Sequence, residues 1–525
     1  MKQIILNEHA RKKILDGTQK LSNIVGLTLG PHGRNVILER EKSLLVTNDG
    51  VTIAREIEFS DKFENLGSKI LLQASIQTNN TVGDGTTSAI VLGAQIMKQA
   101  HKKIELGTSP VLIKESLLVA SDYACQSIQE LAKPVTTIDD IKAIASNSCA
   151  STEYGNLIAT AFELVDGFNH NPIITLEENY DGLTTLRIVE GLEINAGLVS
   201  SYMIENPANT ETVYIDTYVL LVKGSIKSAK ELVPVLELVG KEKLRLVIIA
   251  NDYSIDTINL LVLNRAKVGL NVIALKLDEV NDRTNAILGD IAAFTNATII
   301  SPENDVALSH VTLMHLGHVS KVQATMTRTR LIYENPPPDS QKQLALNQRI
   351  ELIQSQISSA KDFYAKTRLN ERLARLTKGI AILSVGAVTE IELKEKKLRI
   401  EDAIHAAKSA KEGGIVPGGG LGYLYAKKSL EQLDTEGARI LLSALESIIQ
   451  RICINADTNP DTVIERISES KEANFGYDAK NKRYCNLFKA NIIDPAKVVI
   501  SVIKNATSAI ATLLTSDAII VNDNQ

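Results

Sequence analysis

The segment Gly83-Asp84-Gly85-Thr86-Thr87 combines the residue types that a phosphate-binding loop needs. Its two glycines let the backbone approach a ligand closely. The threonines lead into an apolar helical stretch, and the N-terminus of a helix presents free N–H groups to phosphate oxygens. Asp84 adds a hard oxygen ligand suited to Mg²⁺. The alternative interpretation is that Asp84 or Thr86 simply caps the helix.

A second glycine-rich turn spans Thr28–Arg34 and follows an apolar helical stretch. Gly-Pro turns are common, so this turn taken alone favours a structural role. No Gly-Lys-Ser/Thr triplet closes it, which disfavours a P-loop nucleotidase. Asp49, in Thr47-Asn48-Asp49-Gly50, has the sequence context of a turn aspartate.

Asp402 lies in a helical pattern over Leu398–Lys411. Apolar residues recur along one face of that pattern, at Ile400, Ile404 and Ala407. At about 100° per residue, Asp402 points well away from this stripe and can face a site or a partner, although a solvated surface charge has the same spacing. The glycine-rich segment Gly413–Gly420 then predicts either a loop that a ligand can approach closely or a flexible linker.

The elements that carry these residues fall into three regions of the chain. Residues 1–130 are mainly helical patterns broken by glycine loops, and Ala-rich helices return after about residue 400. Between about 190 and 380, short β-rich runs alternate with helical stretches at 228–240 and 255–268, which predicts an α/β domain. The β-rich runs are Tyr218–Val222, Leu244–Ala250, Asn271–Leu275 and Ala297–Ile300. We therefore expect a helical domain built from both chain ends, with an α/β domain inserted.

Length and composition exclude several classes of protein. A chain of 525 residues predicts several domains, and its net charge of −5 with mixed signs shows no nucleic-acid footprint. No charge-free apolar segment of about 18 residues predicts a membrane span, and Met1–Ala10 lacks the apolar core of a signal peptide. The four cysteines lie far apart without metal-ligand spacing, which indicates a reducing, cytoplasmic location.

Two segments of the middle region, Lys230–Gly240 and Ile258–Leu263, carry more apolar residues than one buried helix face needs. The surplus either packs deeply between a sheet and its neighbour or stays exposed as a binding surface. The sequence leaves both interpretations open.

Together, and in this order, these pieces resemble the group I (GroEL-like) chaperonins along essentially the whole chain. Ordered matches at such long separations are highly specific. The landmarks are Thr28-Leu29-Gly30-Pro31, Asp49-Gly50-Val51, Asp61-Lys62-Phe63-Glu64-Asn65, Gly83-Asp84-Gly85-Thr86-Thr87, Val189-Glu190-Gly191, Val385-Gly386-Ala387, Glu401-Asp402-Ala403, Gly418-Gly419-Gly420, Gly476-Tyr477 and Asp494-Pro495.

The resemblance implies a multi-domain fold of the α plus α/β kind. A helical equatorial domain that binds ATP would take residues 1–130 and 413–525. A small intermediate hinge domain would take residues 131–189 and 380–412. An inserted α/β apical domain, which would bind clients and a co-chaperonin, would take residues 190–379.

The resemblance also implies a nucleotide site with ATP and Mg²⁺ as cofactors and K⁺ as an optional second cation. Asp402 and Asp49 would be catalytic and activate the attacking water, and Asp84 would hold the metal. The cofactor-binding residues would be Thr28, Leu29, Gly30, Pro31, Asp84, Gly85, Thr86, Thr87, Ser88, Gly419, Asp478 and Asp494.

In the apical domain the resemblance implies an apolar surface for unfolded clients and for a GroES-like lid. Subunits of this family form seven-membered rings, and no nucleic-acid or membrane partner is implied. The client-binding residues would be Leu198, Tyr202, Met203, Val233, Leu236, Leu260, Val262 and Leu263.

The sequence also departs from the family pattern. Asn48 and His32 replace lysines near the phosphate turns, Asp478 replaces an asparagine, and Ala196 replaces an arginine that pairs with a neighbouring subunit. These losses favour an alternative function, in which a divergent paralogue keeps the fold for a specialised binding or scaffold role and has a weakened folding cycle. The retained aspartates favour a working, ATP-hydrolysing chaperone.

Overall fold

The computed structural model describes residues 2–40, 43–166, 172–179, 181–205, 211–277, 282–301, 307–333, 340–359, 369, 372–373, 375–377 and 379–522. The buried apolar side chains of these residues form three main clusters. One joins both chain ends, one is formed by the middle of the chain, and a smaller cluster lies between them in the sequence. This is the arrangement of helical, intermediate and α/β domains expected from the sequence.

The equatorial domain is a bundle of helices from both chain ends. Its core includes Leu71, Ile90, Leu117, Val502 and Ile510, all essentially inaccessible to solvent. The helices are α1 (Asn7–Val25), α2 (Gly50–Glu56), α3 (Lys62–Val82), α4 (Thr86–Glu105), α5 (Pro110–Leu131), α13 (Leu421–Leu430), α14 (Glu436–Ala444), α15 (Ser447–Asn455), α16 (Pro460–Glu469) and α17 (Ala496–Leu514).

Four two-stranded antiparallel sheets complete this domain. The outermost one joins the two ends of the chain, with Ile4 opposite Ile520. The pairs are β1 (Lys2–Leu6) with β18 (Ala518–Asn522), β2 (Val36–Arg40) with β3 (Ser43–Thr47), β14 (Ile415–Pro417) with β17 (Ile493–Pro495), and β15 (Phe475–Asp478) with β16 (Arg483–Asn486).

Helix α17 is long and apolar enough to cross a membrane by length and composition alone. Its apolar side chains, however, pack inside the equatorial core, with Val502, Ile503 and Ile510 fully buried. It is therefore the central helix of the bundle, because a helix that is apolar on most faces must be surrounded by protein.

The intermediate domain packs three helices around a small core that includes Ile158, Phe162, Leu383 and Ile400. Thr137 and Asp140 form a reciprocal capping box at the start of the first helix. The helices are α6 (Ile138–Ser148), α7 (Thr152–Asp166) and α12 (Glu390–Gly413).

The apical domain is built on one ten-stranded sheet in the order β4-β13-β5-β12-β11-β7-β8-β9-β6, with β10 beside β7. Strands β7, β8 and β9 are parallel, and the helices that connect them are the expected α/β crossovers. The strands are β4 (Ile174–Asn179), β5 (Thr185–Ile194), β6 (Ala196–Leu198), β7 (Glu211–Ile226), β8 (Arg245–Tyr253), β9 (Val272–Leu277), β10 (Ile299–Ile300), β11 (Gly317–Thr325), β12 (Thr329–Tyr333) and β13 (Gly379–Gly386).

Within the part of the chain that the structure describes, four long apical helices cover this sheet and its edges. The core between them contains Leu232, Val235 and Leu261 from the helices and Ile248 and Leu275 from the sheet. The helices are α8 (Ala229–Lys241), α9 (Ile255–Val268), α10 (Asp282–Thr295) and α11 (Ser340–Ser359).

Candidate functional site

The Gly83–Thr87 loop connects two long equatorial helices. Gly83 ends α3 with a φ of +68°, and Gly85, with a φ of +80°, is the residue before α4. Both conformations lie in the left-handed region that favours glycine. No side chain caps α4, so the capping interpretation of Asp84 and Thr86 is wrong. The free N–H groups of α4 therefore face the loop and are available to an anion.

Asp49 lies beside this loop and is held in place by four donors, one of which is the backbone N–H of Val51 at 3.4 Å. It caps α2, where its carboxylate accepts from the backbone N–H of Thr52 at 2.9 Å. The hydroxyl of Thr52 donates to the same carboxylate at 2.5 Å, and that of Thr86 does so at 3.1 Å. Asp49 thus caps α2 and also contacts the Gly83–Thr87 loop through Thr86. Thr52 is a site residue that the sequence did not reveal.

The turn Thr28–Arg34 reaches the same loop from α1. The hydroxyls of Thr28 and Thr87 lie 3.2 Å apart and both side chains are buried. Gly30 has a φ of +84°, and its carbonyl accepts from the Gly33 N–H at 2.9 Å. Leu29 is half-buried, whereas Gly30 and Pro31 are exposed. The two glycine turns predicted from the sequence therefore meet.

Asp402 reaches the site from the intermediate domain on α12. The predicted stripe of Ile400, Ile404 and Ala407 is buried, and Asp402 lies off it, as expected. Desolvation, together with the charges of Asp49 and Asp84, raises the pKa of the Asp402 carboxyl well above its usual range. The Asp402 residue itself is half-buried, so part of it remains accessible to water.

Asp494 completes the acidic cluster from β17. Burial, with a further contribution from the charge of Asp84, raises the pKa of Asp494 to about 7. Burial likewise raises the pKa of Asp84 to about 6, with Asp49 adding to the shift. A Cβ atom on Gly418 would lie only 2.9 Å from Oδ1 of Asp494, so the glycine loop wraps closely around this carboxylate.

Gly419, Ser88 and Asp478 surround this cluster. Gly419 has a φ of +60°, and a Cβ there would lie 3.6 Å from the carbonyl oxygen of Tyr477. Ser88 forms a hydrogen bond with Tyr423 on α13. The Asp478 carboxylate turns into its own hairpin, where it accepts from the Asn481 side chain at 2.7 Å and from Arg483 at 3.3 Å.

The four gathered carboxylates fit a metal that arrives with a phosphate ligand. Among the described residues, no group of three or more His, Cys, Asp or Glu side chains could hold a metal by itself. Mg²⁺ needs only one or two protein carboxylates when phosphate oxygens and water supply the rest. Burial raises the pKa of Asp84, with the charge of Asp49 adding to the shift, and a bound cation would favour the charged carboxylate, which suits Asp84 to that role.

The predicted client-binding residues divide into two groups. Tyr202 and Leu263 are 79% and 52% exposed, Val233 is also exposed, and Leu260 and Val262 are half-buried. In contrast, Leu198, Met203 and Leu236 are not accessible in this structure, because they belong to the buried apolar cluster at the core of the apical domain. Both sequence interpretations of the apolar surplus therefore hold, for different residues.

Comparison with known proteins agrees with this architecture. Residues 21–524 match the TCP-1/cpn60 chaperonin family. The fold is similar to that of the chaperonin gp146 from the bacteriophage EL 2 (Pseudomonas aeruginosa), whose crystal structure was determined in the presence of ATP-BeFx. The two chains are 20% identical, each is covered to 99%, and the TM-score is 0.72. The chain thus belongs to the TCP-1/cpn60 chaperonin family.

Proposed function

We propose that this protein is an ATP-dependent molecular chaperone that hydrolyses Mg-ATP and uses the cycle to bind, enclose and release unfolded polypeptides. The observation that carries the proposal is the convergence of Asp49, Asp84, Asp402 and Asp494, whose charges couple across three separate parts of the chain. A family relative crystallised with an ATP analogue supports nucleotide binding.

In this proposal each residue has a distinct role in phosphoryl transfer. The N–H groups at the start of α4 bind phosphate oxygens, with the hydroxyls of Thr86 and Thr87 beside them. Mg²⁺, held by Asp84, would neutralise charge on the phosphates. Asp49 is fixed by its donors and orients the attacking water, while the Asp402 carboxylate accepts the proton of that water.

The remaining nucleotide contacts extend the site away from the phosphates. Asp494 would hold the ribose, and Gly419 would lie against the nucleotide with Thr28, Leu29, Gly30 and Pro31 on the opposite side. The Asp478 carboxylate already accepts hydrogen bonds from Asn481 and Arg483. Asp478 would therefore contribute to nucleotide binding by stabilising its hairpin.

Client binding would use the exposed apical residues Tyr202, Val233 and Leu263, with Leu260 and Val262 beside them. Unfolded chains expose apolar side chains, and burying apolar surface stabilises a complex by about 25 cal/mol per Å². Leu198, Met203 and Leu236 would join this surface only in another apical conformation. A GroES-like lid would compete for the same residues.

We keep three further expectations as part of the proposal. The first is the set of domain boundaries, at 130/131, 189/190, 379/380 and 412/413. Two of these boundaries, 189/190 and 379/380, fall within β5 and β13, which are adjacent strands of one sheet. Assembly into seven-membered rings is another. A cytoplasmic location is the third, supported by four cysteines that are all free thiols.

The direct test is ATP hydrolysis by the purified protein as a function of Mg²⁺ concentration. We expect hydrolysis that disappears on chelation, and an Asp84→Asn variant that needs far more Mg²⁺ because one anionic ligand is lost. Asp434→Asn, which changes a mostly exposed aspartate of the same domain, is the matched control. Hydrolysis that is equally fast without Mg²⁺ would contradict the proposed chemistry.

A specialised scaffold is the second candidate function. The observation that favours it concerns the contacts between subunits that the resemblance implies. Ala196, which replaces the arginine of one such contact, is buried in β6. Glu390, at the position of another inter-subunit acidic residue of the family, forms an ion pair with Lys394 of its own helix at 2.6 Å. Refolding assays with a denatured client, with and without ATP, distinguish the two. Client capture without ATP-dependent recovery of client activity indicates a scaffold.

A further inference from the structure

The hinge helix α12 docks on the equatorial domain immediately beside the nucleotide loop. Gly83, the residue before Asp84, has no room for a side chain: a Cβ atom there would lie 2.3 Å from Cγ and 2.6 Å from Cβ of His405. The imidazole of His405 therefore packs directly against the backbone of Gly83. This contact joins the intermediate domain to the last turn of α3.

A second contact lies one turn further along the same helix. The buried hydroxyl of Ser409 donates to the carbonyl oxygen of Val82 at 3.2 Å. This carbonyl belongs to the last turn of α3, where carbonyl groups have no partner within the helix and need one elsewhere. Ser409 supplies that partner from another domain.

Asp402, His405 and Ser409 follow one another at intervals of three and four residues, so they share one face of α12. When His405 and Ser409 seat on Val82 and Gly83, Asp402 is brought over the loop that begins at Asp84. The charges that act on Asp402 in this arrangement are those of Asp49, Asp84, Glu401 and Arg399.

We propose that Gly83, His405 and Ser409 form a docking seam that sets the catalytic position of Asp402, with His405 as the positioning residue. The contacts of this seam are made at Val82 and Gly83, before the N-terminus of α4 at Thr86, so we expect it to govern the rate of hydrolysis and not the affinity for nucleotide. This inference rests on the proposed ATPase function and adds to it the device that places the base.

The test is a Gly83→Ala variant. The added Cβ would collide with Cβ and Cγ of His405, which are the near end of that side chain, so α12 itself must retreat and take Asp402 with it. A displacement of about 1 Å costs on the order of 100-fold in rate, so we expect kcat to fall by about that factor with the Kd for Mg-ATP unchanged.

The matched control is Gly107→Ala in the same domain. Gly107 also has a positive φ, of +92°, but nothing lies within 4 Å of a Cβ placed there. This variant reproduces the left-handed backbone strain without the collision, so we expect its kcat to equal that of the wild type.

A second variant separates the seam from damage to the loop. His405→Gly removes the three atoms that the new methyl group meets, which are Cβ, Cγ and Cδ2 of His405. The variant Gly83→Ala with His405→Gly should therefore hydrolyse ATP at the rate of His405→Gly alone. Hydrogen exchange over α12 gives a readout that needs no hydrolysis, and it should accelerate in Gly83→Ala but not in Gly107→Ala.

Three results would contradict the proposed docking seam. They are a Gly83→Ala enzyme with wild-type kcat and unchanged exchange over α12, a loss of Mg-ATP affinity that accounts for the whole rate loss, or a double variant that is clearly slower than His405→Gly alone. If the wild type hydrolyses no ATP, the proposed function fails, and the exchange data still decide whether Gly83 and His405 hold α12.

Discussion

At the scale of single residues, the notable feature is a group of carboxylates that repel one another. Asp84, Asp402 and Asp494 each feel the charge of at least one other carboxylate of this site. Such a cluster is unfavourable without a cation, because like charges in a partly desolvated site favour the protonated form. The site therefore gains from a ligand that brings Mg²⁺ with it.

The raised pKa values of these carboxylates, caused mainly by burial and increased by their mutual repulsion, predict how stability depends on pH when no nucleotide is bound. The folded pKa values of Asp84 and Asp494 are about 6 and about 7, against an ordinary value of 3.8. Between those limits the folded protein holds more protons than the unfolded chain, so stability falls as pH rises through this window. We expect a lower Tm at pH 7.5 than at pH 5.5, measured by calorimetry.

Asp494→Asn provides the control for this effect. Removing the carboxylate should flatten the pH dependence and raise the Tm at pH 7.5, by about 2–4 °C for each kcal/mol of repulsion relieved. Asp139→Asn, a substitution in the exposed first turn of α6, should leave the pH dependence as it is. A Tm that rises from pH 5.5 to pH 7.5 in the wild type would contradict this account.

Sequence patterns identified these residues individually but not their contacts. The spacing of Asp402 relative to its apolar stripe predicted correctly that it lies off the core face of α12. It could not show that the Asp478 carboxylate is engaged by Asn481 and Arg483, because that depends on how one hairpin closes. Nor could it place Thr52 beside Asp49, since a threonine near a helix start has many other uses.

At the scale of elements, α8 shows why the apolar surplus of the apical domain divides as it does. Leu232, Val235, Leu236 and Val239 face the sheet and are buried, whereas Val233 is 39% exposed on the opposite side. A helix with apolar residues on two faces can pack with one and bind with the other. The sequence showed the surplus but could not assign residues to each face.

This division predicts opposite effects for two neighbouring substitutions. Val233→Ser should weaken capture of an unfolded client and leave the Tm unchanged, because its side chain is on the surface. Leu236→Ala should lower the free energy of unfolding by about 2–5 kcal/mol, the usual cost of truncating a buried leucine. Client binding by light scattering and unfolding by urea measure the two effects.

Ile215→Ser is the control for client capture, since this apical residue is 60% exposed but lies on β7, away from α8 and α9. It should bind clients like the wild type. Equal losses of capture in Ile215→Ser and Val233→Ser would mean that no particular apical face binds the client.

The sheet was the element least visible in the sequence. Short β-rich runs predicted β7, β8 and β9 correctly, since each run is apolar and bounded by helical patterns. The pairing of β13 with β4 and β5 joins residues about 200 positions apart, and register over such a distance is set by tertiary packing. As a result, the hinge and apical regions share one continuous sheet.

At the scale of the whole molecule, two small equatorial sheets carry exposed apolar residues. Ile37 and Leu44 are 69% and 54% exposed on β2 and β3, and Ile4, Leu6 and Ile520 are similarly exposed on β1 and β18. Two-stranded sheets are marginal alone, and their open edges can pair with another chain. These sheets are suited to contacts between copies of the chain.

We therefore predict that the protein sediments as a ring-shaped assembly of several 57.1 kDa subunits and that Ile37→Asp shifts it toward the monomer. Leu344→Asp, at a similarly exposed leucine of α11, should leave the assembly intact. Sedimentation velocity and negative-stain electron microscopy together give the mass and the number of subunits. A wild-type monomer at micromolar concentration would contradict the proposed assembly.

In the proposed mechanism, Asp402 crosses from the hinge domain and acts as the base of the ATPase. Single-turnover hydrolysis of Mg-ATP by Asp402→Asn tests it most directly, with nucleotide binding measured on the same preparation. We predict retained binding and a rate constant that falls by about 10²–10⁴-fold, the usual contribution of a general base. Equal rate constants for Asp402→Asn and the wild type would contradict the claim.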